Sequence, residues 1–87
     1  MLKAIDLNPE DTSAYHIRGA AWSETGEYDR AITDLTRAIA MDPQKAVFHN
    51  NRGLVWYHKG EYEHAINDFT RAIELDPDNI ASRFEGQ

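Results

Sequence analysis

The sequence contains no cysteine. Disulfides, thiolate nucleophiles and cysteine metal sites are thereby excluded, and cysteine usage says nothing of the redox compartment. Basic residues are scarce: 9 Lys and Arg stand against 15 Asp and Glu, for a net charge of −6. Phosphate backbones are held by clustered Lys and Arg, so nucleic acid is not an expected partner. No apolar run approaches the ~20 residues that a bilayer span requires. The opening Met1-Leu2-Lys3-Ala4-Ile5-Asp6 has no apolar core of a secretion signal. A membrane is therefore not an expected partner, and the cytoplasm is the expected compartment. Glycine and proline are few, at 5 and 3, and the glycines form no phosphate-cradling loop. With 87 residues, a compact fold buries about 60–65% of its unfolded surface, so the core is modest.

What the chain does have is a period. Residues 9–42 align without a gap to residues 43–76, a step of 34. Identities fall at Pro9/Pro43, Arg18/Arg52, Gly19/Gly53, Trp22/Trp56, Gly26/Gly60, Tyr28/Tyr62, Ala31/Ala65, Asp34/Asp68, Ala38/Ala72 and Asp42/Asp76, among others. A fixed period of this size marks a stacked-repeat architecture, in which one supersecondary unit recurs and buries its apolar face on its neighbours. The charge divides unevenly, −4 in the first copy and −1 in the second.

Each copy reads as two helices and a tight turn. Thr12 to Glu24 carries Ala14, Ile17, Ala21 and Trp22 at helical spacing. Gly26 ends that helix by taking the left-handed conformation. The next helix starts near Glu27, whose charge suits a helix N-terminus, and shows Tyr28, Ala31, Ile32, Leu35, Ala38 and Ile39 on one face. Asp42-Pro43 closes it, because a residue before proline is pushed out of the helical region. The second copy repeats the scheme through Phe48, Trp56, Gly60, Tyr62, Ala65, Ile66, Phe69, Ala72 and Ile73 to Asp76-Pro77. Residues 1–8 align with the end of a second helix, and residues 77–87 with the start of a third repeat. The chain thus reads as a fragment of a longer array, divided into 1–8, 9–42, 43–76 and 77–87.

The aromatic, glycine and tryptophan run Tyr15, Gly19, Trp22, followed by Gly26, Tyr28, Ala31, Leu35, Ala38 and Pro43, resembles a tetratricopeptide repeat. The second copy matches through Gly53, Trp56, Gly60, Tyr62, Ala65, Phe69, Ala72 and Pro77. The resemblance implies an all-α, right-handed solenoid of antiparallel helix pairs. It places Gly19 against Ala31, and Gly53 against Ala65, where paired helices cross within ~8–10 Å. Ala38 and Ala72 are then contacts to the following first helix, with Trp22, Tyr28, Trp56 and Tyr62 packed around the crossings. A bulky side chain at Gly53 is expected to cost ~1–3 kcal/mol.

Two features depart from the family. Arg18 and Arg52 stand where leucine is usual, and Asp34 and Asp68 lie in the second helices. Each Arg–Asp couple reads either as a bridge between the helices of one copy or as two solvated charges. His49 stands at the position of Tyr15, with Phe48 beside it to take over the packing.

The chemistry-bearing residues support no catalytic reading, and an enzyme is not expected. Glu61, His64 and Asp68 share a helix face, but Arg30 replaces the histidine in the first copy, and one helix lacks the converging ligands that zinc needs. No cofactor or metal is expected. Function is placed instead in a concave groove that, by the resemblance, the first helices line to hold an extended peptide. Its expected lining is Ser13, His16, Ile17, Ala20, Ser23 and Glu24 from the first copy, and Val47, Asn50, Asn51, Leu54, Tyr57 and His58 from the second. Ala81, Phe84 and Glu85 extend it. Asn51 is the leading candidate, since an amide both donates to and accepts from a peptide backbone. The Lys and Asn that relatives use to grip the C-terminal carboxylate of heat-shock chaperones are replaced by His16 and Ala20, and Glu24 repels an acidic tail. That partner is not expected. The alternative reading is a structural module that stacks head to tail as a homo-oligomer, residues 78–87 of one chain meeting residues 2–8 of the next.

Overall fold

A computed structural model of the chain describes residues 11–77. Residues 2–8 and 78–87, expected to complete a composite repeat, and Ala81, Phe84 and Glu85 of the expected groove lie outside the described residues. Four helices follow one another: α1 Thr12–Glu24, α2 Tyr28–Met41, α3 Ala46–Lys59 and α4 Tyr62–Leu75. No strand occurs among the described residues. The all-α helical-repeat architecture is as the period predicts. α1 packs along α2 and α3 along α4; α2 packs on α3, and α1 meets α3 over only a short stretch.

Local chemistry sets the helix ends. Asp11 caps α1, accepting from the backbone N–H of Ser13 at 3.0 Å and of Ala14 at 3.4 Å. α3 starts at Lys45 in nearly the same extended conformation but has no side-chain cap. The exits of α1 and α3 are alike. Gly26 and Gly60 have φ of 85° and 92°, a region costly to any side chain. There the Glu27 N–H donates to Trp22 O, and the Glu61 N–H to Trp56 O, both at 2.9 Å. These bonds satisfy carbonyls that a helix end would otherwise leave open. Asp42 and Asp76, each before a proline, leave the helical region, with ψ of 78° and 69°, and end α2 and α4.

The core is built from small residues. Ala31, Leu35 and Ala38 of α2 are fully buried, as are Ala65 and Ala72 of α4 to within 2%. Gly19 and Gly53 allow the close approach. A Cβ on Gly19 would lie 2.9 Å from Leu35 Cγ and 3.3 Å from Ala31 O. One on Gly53 would lie 2.8 Å from the Phe69 ring, so Phe69 and Asp68, with Ala65 buried nearby, form the second crossing.

The central cluster is Ala31, Leu35 and Val55, with Trp22, Tyr28 and Ile32 packed against it. Val55 is the residue by which α3 enters the core of the first helix pair. It was not among the expected core positions; its counterpart Ala21, expected on the apolar stripe of α1, is exposed. The aromatic expectation needs correction at one place. Tyr62 does not fill a crossing; it is exposed and lies 5.4 Å from the Tyr57 ring. Ile66 and Ile73 share its exposed face on α4, whereas their counterparts Ile32 and Ile39 are half-buried between α2 and its neighbours.

Both Arg–Asp couples are bridges. Arg18 donates Nε–H and Nη2–H to Asp34 at 2.8 and 2.9 Å, and Arg52 does the same to Asp68. The bidentate geometry matches guanidinium to carboxylate, which explains how two carboxylates stand buried in helices α2 and α4. Arg52 Nη1–H also donates to Thr36 Oγ1 at 3.1 Å and so ties α3 back to α2. At the Tyr15-equivalent position, His49 is buried and bonds the Pro43 carbonyl through Nε2 at 3.0 Å, leaving Nδ1 without a partner. Phe48 beside it is buried against the His16 ring.

Candidate peptide-binding groove

The two first helices enclose a cleft of about 240 Å³. α1 contributes Ala20, Ser23 and Glu24; α3 contributes Asn51, Leu54 and His58; Leu35 and Val55 form the floor. These positions follow from helical geometry. Residues three and four apart share a face, so Ala20, Ser23 and Glu24 line one wall, and Asn51, Leu54, Val55 and His58 the other. The buried Leu35 and Val55 give the cleft an apolar bottom; Glu24, Asn51 and His58 give it a polar rim.

Six of the expected groove residues therefore meet in one cleft: Ala20, Ser23, Glu24, Asn51, Leu54 and His58. His16 is not on its wall but is joined to it, because Asn51 Nδ2 is hydrogen-bonded to His16 Nε2. The His16 ring also packs on Phe48, centroids 5.0 Å apart. Burial lowers the His16 pKa below the ordinary imidazole value. Ser13, Ile17, Val47, Asn50 and Tyr57 lie outside this cleft. Ile17 is 65% exposed, and Tyr57 is 54% exposed beside Tyr62 and His58. The reason is the period itself. The position of Asn51 recurs at Ile17, and that of Ser23 at Tyr57, so each occupies on the other first helix the position whose counterpart lines the cleft. Leu35 and Val55 were the floor residues not foreseen; Phe48 and Val55, one heptad apart on α3, carry the signal that this face of α3 turns inward.

The other candidate constellations are taken apart by the fold. Asp68 is turned inward to Arg52, and the His64 ring stacks on Trp56 at 4.4 Å, so Glu61, His64 and Asp68 do not converge. The equivalent Arg30 lies over Trp22 at 4.8 Å. Among the described residues no cluster of three His, Asp or Glu side chains could hold a metal ion, and no helix is long and apolar enough to cross a membrane. A larger cleft of about 600 Å³ opens between α1 and α2 beside Tyr15, Arg18, Asp34 and Arg37. Its Arg18 is held by Asp34, and both guanidiniums lie over the Tyr15 ring.

Comparison with known proteins agrees with this geometry. A tetratricopeptide repeat model matches residues 46–79, and a second TPR repeat model matches residues 21–60. The chain belongs to the tetratricopeptide repeat family. A search of curated proteins gives no match. Among solved structures, the tetratricopeptide chain is similar to a Thermobaculum terrenum O-GlcNAc transferase, at 38% identity and TM-score 0.83, over 85% of this chain and 14% of the transferase. The second TPR of Spaghetti (RPAP3), bound to the HSP90 peptide SRMEEVD, is 35% identical with TM-score 0.75, over 82% of this chain and 66% of that one. YrrB, described as a TPR protein with an unusual peptide-binding site, is 26% identical with TM-score 0.85, over 95% of this chain and 43% of its own. The chain thus spans only part of each of these proteins.

Proposed function

We propose that this repeat array is a protein-interaction module that binds an extended peptide segment in the cleft between α1 and α3. The observation that carries the reading is the pairing of an apolar floor, Leu35 and Val55, with Leu54 at 43% exposure and the amide of Asn51 above it. Such a lining suits a chain that buries one apolar side chain and bonds through its backbone. Two similar structures, that of Spaghetti with its HSP90 peptide and that of YrrB, support peptide binding by arrays of this kind. The partner favoured here is not an acidic tail. Glu24 stands on the cleft wall, and no lysine lines it, so a carboxylate would be repelled.

The test is selection from a randomised short-peptide library, followed by titration of the recovered peptide. Leu54→Ala removes an exposed apolar contact without touching the core. Its loss of up to ~1.5 kcal/mol of burial corresponds to roughly tenfold weaker binding. The acidic peptide SRMEEVD should bind far more weakly than the selected one. Failure to select any binder, or indifference of the affinity to both Leu54→Ala and Asn51→Ala, overturns the proposal.

A second reading has its own observation. Tyr62, Ile66 and Ile73 expose on α4 the face that α2 uses to receive α3. A second copy offering its α1 would bury that face in a heterologous contact. Light scattering over a concentration series decides it: mass rising with concentration, and falling back to monomer in Ile66→Asp, supports stacking, and a monomer at all concentrations rejects it.

A further inference from the structure

We infer that His16 and Asn51 form a proton-controlled donor–acceptor switch on the groove wall: neutral His16 fixes Asn51 with its carbonyl available to a partner, and protonated His16 reverses the amide. The inference rests on the peptide-groove reading for its functional consequence, but not for its chemistry.

The contact couples the Asn51 amide to the protonation state of His16. The atoms that meet are Asn51 Nδ2 and His16 Nε2. With the Asn51 amide in this orientation its nitrogen donates and Nε2 accepts, the role of a neutral imidazole with its proton on Nδ1. The surroundings favour that form. One side of the ring rests on Phe48, which is 3% exposed, and burial lowers the His16 pKa. Among the described residues no carboxylate pairs with His16. On α1, Asp11 caps the helix N-terminus and Glu24 lies two turns further on. On α2, Asp34 is held by Arg18. On α3, Arg52 is held by Asp68, His49 is turned to the Pro43 carbonyl, and His58 lies at the other end of the cleft.

Protonation makes the present arrangement untenable, because an Nε2–H would then face an amide N–H. Rotation of the Asn51 amide removes the conflict: Oδ1 accepts from the imidazolium, and the amide nitrogen becomes the free group. No backbone movement is needed. Among the described residues Oδ1 has no protein partner in the neutral state, so it is the atom available to the cleft. An extended peptide presenting an N–H to Asn51 at neutral pH would meet a donor instead after protonation. The affinity for a peptide chosen at neutral pH therefore falls as pH drops through the His16 midpoint. The device is specific to this junction, since His16 is replaced by Asn50 and Asn51 by Ile17 at the equivalent positions.

Nitrogen-15 and side-chain amide NMR on the free protein tests the pair without any ligand. At neutral pH His16 should show the Nδ1–H tautomer. Between about pH 5 and 8, the Asn51 side-chain amide signals should move with the same midpoint as the His16 ring. In His16→Gln, which keeps an acceptor but does not titrate, and in His16→Phe, which keeps neither, the Asn51 signals should stay fixed over that range. An Nε2–H tautomer at neutral pH, or Asn51 signals that ignore the His16 titration, overturns the switch. For a library-selected peptide, wild-type affinity should drop about tenfold across the midpoint, the value of one net hydrogen bond, and stay flat in His16→Gln. A flat wild-type profile with a moving Asn51 amide removes its role in binding. Absence of any peptide binder bears on the groove reading alone, because the tautomer and the amide signals still decide the pair.

Discussion

At the residue scale, the two Arg–Asp bridges are a controlled comparison within one molecule. Their distances agree, and both carboxylates are buried. They differ in the guanidinium, whose side chain is 45% exposed in Arg18 and 22% in Arg52. Removing the charge of Asp68 strands Arg52 in a partly dry site, where Thr36 Oγ1 is a single neutral acceptor. Asp68→Asn should therefore cost about 2 kcal/mol, in the range for hydrogen bonds to charged groups. Asp34→Asn should cost less, because the Arg18 head can turn to water and its attraction is already screened. Urea denaturation of the two variants measures the difference. Equal losses would show that access to water at the arginine is not what sets the strength of these bridges. The sequence carried this feature because both copies spell it; it left open whether the charges met or stayed solvated, since spacing along two helices does not fix their crossing. The His16–Asn51 bond was not legible at all. It joins residues 35 apart that are not equivalents, so the period is blind to it.

At the element scale, the helices are legible because start, stripe and stop agree in each copy. The first runs from Thr12 to Glu24 as its apolar spacing and Gly26 dictate. What the stripe does not encode is whether anything covers it. Tyr28, Ile32 and Ile39 are packed, whereas Tyr62, Ile66 and Ile73, the same residues in the same register, face solvent. An amphipathic pattern specifies a face and is silent about the neighbour. The copies also differ where one lacks a device that the other has. Asp11 caps α1 through two backbone N–H groups; Lys45, in the same place and backbone conformation, caps nothing and puts a positive charge at a helix N-terminus. Lys45→Asp should stabilise the protein by about 1 kcal/mol, as a cap and by the dipole together. Lys45→Ser, which adds a cap oxygen without a negative charge beside Asp42, should recover most of that. Denaturation midpoints unchanged in both variants would mean that α3 is held by packing strongly enough to make its first turn irrelevant.

At the scale of the whole molecule, stability in a stacked array is a sum of helix pairs and the interfaces between them. In the described residues that interface has a narrow apolar centre, Val55 of α3 set on Ala31 and Leu35 of α2, with the Arg52–Thr36 bond beside it. The cleft proposed to bind peptide lies directly over the same residues, since Leu35 and Val55 are its floor. Coupling between the pairs and the shape of the groove are thus one property. Val55→Ala should cost about 2 kcal/mol, the transfer of two methyl-sized groups plus the void they leave. The loss should fall on the interface more than on either pair. In native-state hydrogen exchange, α1–α2 and α3–α4 should then separate into two opening units where the unaltered chain shows one. A mild substitution at the equivalent exposed position supplies the reference: Ala21→Ser should shift stability by less than ~0.5 kcal/mol. If Val55→Ala lowers protection uniformly across all four helices, the array folds as one unit. The peptide cleft would then have to be described as part of a single core and not as a seam between stacked pairs.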